Sequence, residues 1–171
     1  MSTTPPLSRN VTRLGHLDLP GSGQVYVQDN YAYLGHLPNK AGLGTSIIDI
    51  SDPRKPKVVS QINLEDPTSH SHKARVIGDI MITNSERNMT KIGREPNHAE
   101  LAAKLGVSEA DIPAVEEAQR NPYNMGGFKL WDVSDKSKPK LISFQKTHGI
   151  GVHRFDMDAN YAYISTEMPG F

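Results

Sequence analysis

The sequence predicts an all-β protein, a partial β-propeller of about two and a half four-stranded blades, on three observations. Ser46 to Leu64 aligns without gaps on Lys129 to Thr147, and Asp49, Ser51, Asp52, Lys55, Pro56, Lys57 and Ser60 recur identically. A hairpin occurs three times, at Asp29 to Leu34, Gly78 to Thr83 and Ala159 to Ile164, each time as a turn pair followed by alternating β-prone residues. The order between these landmarks is constant: inner strand, two-residue turn, second strand, loop, third strand, Ser-Asp-x-x-x-Pro turn, fourth strand. Four antiparallel strands per repeat make a propeller blade.

Taken in order, Val11 to Leu17 reads as a fourth strand preceding blade one, since Val11 sits at the offset of Leu141. Blade one runs from about Gly23 to Asn63 and blade two from about His72 to Gln145. Blade three starts near Gly151 and has only two strands before Phe171. The third-strand residues Ile48, Ile50, Trp131 and Val133 hold equivalent repeat positions and are expected between adjacent blades. Residues 87–126 interrupt blade two as an insertion, with helix-prone stretches at His98 to Leu105 and Ser108 to Arg120, the second capped by Ser108. The whole chain, 1–171, therefore reads as one partial propeller domain carrying a small helical lid at 87–126. Open sheet edges at both ends of such an arc invite pairing. The expectation is that a complementary chain, a cleaved fragment or sequence missing from this chain completes the ring.

Composition narrows the function classes. Lysine plus arginine equals aspartate plus glutamate at 19 each, so no overall positive field gathers nucleic acid. The stretch Leu101 to Ile112 imitates the turn of a helix-turn-helix, but Glu109, Asp111, Glu116, Glu117 and Pro113 in the would-be recognition helix exclude phosphate contact. The absence of cysteine removes disulfides and thiolate metal sites, leaving histidine and carboxylate as strong metal ligands. The N-terminal residues lack the apolar core of a signal peptide and no apolar run of about 18 residues occurs, so a cytoplasmic protein without membrane association is expected.

The segments YAYLGH, SIIDISDPRKP, KLWDVSDKSKP and NYAYISTE resemble the LVIVD-repeat family of bacterial β-propellers. The resemblance covers most of the chain outside the insertion and implies a propeller fold. It implies little about activity, because propellers host many unrelated functions.

Chemistry is suggested by a repeated pair. His72 and His153 open equivalent inner strands, and each hairpin returns to a glutamate, Glu86 and Glu167, one residue beyond the histidine's expected partner. Inner strands line a propeller's channel, so these groups converge near its mouth. Imidazole and carboxylate together suit a divalent transition metal such as zinc, iron, manganese or copper. His72 and His153 are expected to bind the metal, with Glu86 or Glu167 as ligand or general base and Lys73 and Arg154 holding an anionic small-molecule substrate. Blade one has Gly23 where the histidine would be, His36 offers a ligand from another direction, and His70 and His148 read chiefly as solvated loop residues. The function so implied is a metal-dependent hydrolase or lyase acting at the channel mouth. The alternative is a non-catalytic propeller scaffold whose His/Glu repetition is structural.

Overall fold

The computed structural model of the chain describes residues 10–66, 69–87, 98–99, 102, 108–113 and 125–167. The described residues form eleven strands in three antiparallel sheets. β1 (Ser22–Gln28), β2 (Tyr31–His36), β3 (Leu43–Asp49) and β4 (Lys57–Asn63) follow one another across the first sheet. In the second, β5 (Ser69–His70) and β6 (Ala74–Ile77) both pair with β7 (Ile80–Arg87), followed by β8 (Gly127–Asp132) and β9 (Lys140–Lys146). β10 (Val152–Met157) and β11 (Ala162–Thr166) form the third.

Local chemistry explains the shared turns. Asp49 and Asp132 each accept the backbone N–H two residues on, at 2.8 and 2.9 Å, and Asp52 and Asp135 do the same one turn later, at 3.0 and 2.9 Å. Just past each turn the outer strand carries one extra residue: Ile47 and Ile48 pair with Ser60 and Val58, skipping Val59, and Leu130 and Trp131 pair with Ser143 and Leu141, skipping Ile142. The repeat thus extends to the position of a bulge.

Side-chain alternation gives every sheet two faces. One face of the first sheet presents Tyr33 and Ile47, which pack against Ala74, Val76, Met81, Trp131 and Val133 of the second. The opposite face of the second presents Ile82, Phe128 and Leu130, which pack against Val152, Phe155, Met157 and Ile164 of the third. Stacking therefore runs in a constant sense, and the outward faces at each end expose Val25 (58%), Val27 (53%) and Tyr163 (58%). Peripheral bonds reinforce the first contact: the Gln28 amide donates to Gly78 O at 2.9 Å, and Ser60 Oγ donates to Lys136 O at 2.7 Å.

Two expectations are corrected. Ile48 and Ile50 do not join Trp131 and Val133 between sheets, because repeat-equivalent residues point the same way in each sheet, and Ile47 on the reverse face makes that contact instead. Val11 to Leu17 is not a strand, since a strand requires a ladder partner and no described strand pairs with it. In the insertion, His98, Ala99, Ala102, Ile112 and Pro113 are helical and Glu109–Asp111 forms a 3-10 turn with Ser108 at its start, Ile112 being buried with Ala102. Most of the two expected helices, His98 to Leu105 and Ser108 to Arg120, lies outside the described residues.

Trp131 is 8% exposed and its indole N–H donates to Thr83 Oγ1 at 3.0 Å. Replacing it with alanine is expected to cost about 3 to 5 kcal/mol, read from the urea midpoint, whereas Tyr163→Ala on the open face should stay within about 0.5 kcal/mol.

Candidate functional site

Each inner strand is irregular at one height. β1 loses register between Ser22 and Val25, the second sheet's inner edge breaks between β5 and β6 at residues 71–73, and β10 bulges between Val152 and Arg154. A bulge re-aims a side chain, and the residues freed from the ladder here are His72, Lys73 and His153. The same break shifts the pairing from the expected one. Glu86 faces His70 across β5 and β7, and His153 is the unpaired residue of its bulge, while Val152 pairs with Thr166.

Close backbone approach between sheets makes this convergence possible. Gln24 N–H donates to His72 O at 3.0 Å, His36 N–H to Ser71 O at 2.9 Å, and Arg87 N–H to Ile150 O at 2.8 Å. At Gly35 a Cβ would lie 2.2 Å from the His72 carbonyl carbon and 2.3 Å from Lys73 N, so no other residue fits without moving the His72 segment. Gly151 has φ +110°, and a Cβ there would lie 2.2 Å from Ser85 O, which keeps β10 tight against β7.

Glu86, 4% exposed, is the hub. Its Oε2 lies 3.3 Å from His70 Nε2, 3.0 Å from His153 Nδ1 and 3.8 Å from His72 Nδ1, and Oε1 is also 3.0 Å from His153 Nδ1. Glu167 Oε2 lies 3.8 Å from His153 Nδ1, its backbone held by a Glu167 N–H to Gly151 O bond of 3.0 Å. The rings of His70 and His72 stack with centroids 4.9 Å apart, and those of His72 and His153 tilt at 5.1 Å. Burial alone would raise the Glu86 pKa, but hydrogen bonding to His70, Glu167 and His153 outweighs it and holds the group below the ordinary carboxylate range. His72 is pushed down to about 4, first by burial and then by the charge of Lys73.

Lys73 is buried at the cavity wall. Its Nζ stands 2.6 Å from His72 Nε2 and also donates to the His153 carbonyl, so the Nδ1 of His72 is the nitrogen turned toward Glu86. Asn84 locks the backbone around it, accepting from Lys73 N–H at 3.0 Å and donating to Val152 O at 3.0 Å. Burial lowers the Lys73 pKa, and Arg154 and Arg75 lower it further. Arg154 is exposed and lines, with Arg75, Gln24 and Phe155, a cavity of about 480 Å³ whose wall includes His70, His72, Lys73 and His153.

Two triads have donor types and spacing that could hold a divalent ion: His70, His72 and Glu86, and Glu86, His153 and Glu167, the ligand atoms of each lying within 4.8 Å of one another. The four expected residues His72, His153, Glu86 and Glu167 are thus brought together. His70, read chiefly as a solvated loop residue, is a full participant, and its two-residue spacing from His72 was the available signal. His36 is no ligand: it is completely buried, its Nδ1 2.7 Å from Pro20 O and its Nε2 2.8 Å from Ser46 Oγ. His148 is exposed.

The LVIVD repeat family model matches residues 21–63, the stretch that forms the first sheet, so the chain carries an LVIVD repeat. No curated protein matches the chain. No helix among the described residues is long and apolar enough to cross a membrane.

The metal-free protein should lose stability in acid. The folded pKa of His72, about 4, lies below its ordinary value of 6.5, so the unfolded chain takes up a proton first as pH falls. That contribution, of order 3 kcal/mol, is complete above pH 6.5 and lost between 6.5 and 4. Glu86, also depressed, adds a second loss below its ordinary value of 4.5. Urea midpoints across this range, measured in chelator, should fall with pH and flatten above about 5 in His72→Gln.

Proposed function

We propose that the chain is part of a β-propeller whose channel mouth holds a divalent transition metal and acts on a small anionic molecule as a hydrolase or lyase. The observation that carries this reading is Glu86, a buried carboxylate encircled by His70, His72, His153 and Glu167, with the three histidines lining a cavity that also carries Arg75 and Arg154. The constant stacking sense and the LVIVD repeat support the propeller. Further sheets, in a continuation of this chain or in a complementary polypeptide, would cover the apolar outward faces.

A bound metal supplies Lewis acidity and brings a coordinated water toward a pKa near 7. The protein's own groups do the rest. His72 and His153 would hold the ion through their imidazole nitrogens. Glu86 and Glu167, the latter more exposed at 32% of its side chain, would supply the carboxylates that act as ligand or general base. Arg154, with Arg75, draws the anionic end of the substrate into the cavity.

Exposed apolar residues on the outer strands, Val58 (39%), Leu141 (46%) and Ile142 (53%), favour a second reading, a non-catalytic platform for another protein. Metal analysis separates the two. Protein purified without chelator, then reconstituted with zinc, manganese, iron or copper and desalted, is expected to retain at least one equivalent by mass spectrometry. His153→Ala should weaken retention more than about a hundredfold, beyond the usual cost of losing a supporting neighbour, with its circular dichroism unchanged. No retention of any of the four ions would leave only the platform.

A further inference from the structure

We propose that the cluster takes two divalent ions, with the Glu86 carboxylate bridging them. This rests on the metal-dependent reading above and adds the number of ions and the residue they share. The five donor side chains form two overlapping sets. They divide into His70, His72 and Glu86 on one side and Glu86, His153 and Glu167 on the other, with Glu86 alone common to both. Bonds of about 2.0 to 2.2 Å to nitrogen and oxygen confine the donors of one ion to within about 4 Å of each other. Inside the first triad Glu86 Oε2 stands 3.3 Å from His70 Nε2 and 3.8 Å from His72 Nδ1. Inside the second, His153 Nδ1 stands 3.0 Å from Glu86 and 3.8 Å from Glu167. In each triad two donor pairs thus already lie within that span.

Glu86 suits the bridging role because both its oxygens face ligands: Oε1 and Oε2 are each 3.0 Å from His153 Nδ1, while Oε2 also reaches back to His70. A carboxylate between ions about 3.5 to 4 Å apart is the arrangement of two-metal hydrolytic sites. Three protein donors per ion would leave coordination positions for water or substrate, and His70, His72 and His153 share the cavity wall with Arg154 and with Arg75, whose Nε stands 3.5 Å from Asp156. A mixed imidazole and carboxylate set of this kind suits zinc, manganese or iron(II).

Manganese is the probe that reports both number and contact. Metal-free protein dialysed against Mn²⁺ is expected to bind two equivalents per chain and to give the exchange-coupled paramagnetic resonance spectrum of a close pair. His70→Ala and Glu167→Gln, each touching one triad, should each retain one equivalent with the hyperfine-split spectrum of isolated Mn²⁺. Glu86→Gln should lose the coupled signal. One equivalent in the unaltered protein, lowered alike by His70→Ala and Glu167→Gln, would overturn the pair and leave the single-metal reading standing. Two equivalents without coupling, or coupling that survives Glu86→Gln, would overturn the bridge. No bound manganese, zinc or iron would overturn both readings. The count on the unaltered protein decides the number of ions even where a variant fails to fold.

Discussion

A carboxylate removed from water must be compensated, or it costs several kcal/mol, and at Glu86 the compensation comes from two different sheets. His70 reaches it from the paired inner strand of its own sheet, His153 from the bulge of the next. The group is therefore both a chemical centre and a rivet. Any shift of the third sheet against the second strips a buried charge of its partner.

The surroundings follow from that demand. Ring nitrogens can meet Glu86 only if inner strands leave the regular ladder, and all three inner strands do so at one height. The backbones must then come closer than side chains allow, which is why Gly35 and Gly151 sit where they do. Asn84 takes the position equivalent to Gly35 and uses its amide to hold both the Lys73 N–H and the Val152 carbonyl. One repeat position thus serves close approach in one sheet and side-chain bonding in the next.

The repeat was readable because its turns are spelled by local chemistry. Aspartates bond backbone two residues ahead, proline fixes the turn, and the hairpins alternate, so the sheets and most strand limits could be read directly. Inter-sheet contacts were harder. Equivalent residues such as Ile48 and Trp131 share a face within their sheets, yet only one of those faces meets a described neighbour. The site was half legible for a related reason. His72, His153, Glu86 and Glu167 stood out by repetition, but a regular hairpin register misassigns their partners, because a break at residues 71–73 and a bulge at His153 leave no compositional mark. His70, outside the repeat's inner strand, is brought against Glu86 by the pairing of β5 with β7.

The constant stacking sense has a consequence for assembly. Each sheet offers its neighbour a face different from the one it receives, so the pile has a head and a tail. A two-fold axis would bring head to head, matching Val25 and Val27 with themselves rather than with the complementary surface around Tyr163. Isologous dimerisation thus cannot reproduce the native contact. Any further sheet added through the same contact would be heterologous, repeating the same rotation, and such a series would either return on itself as a ring or run on as a filament.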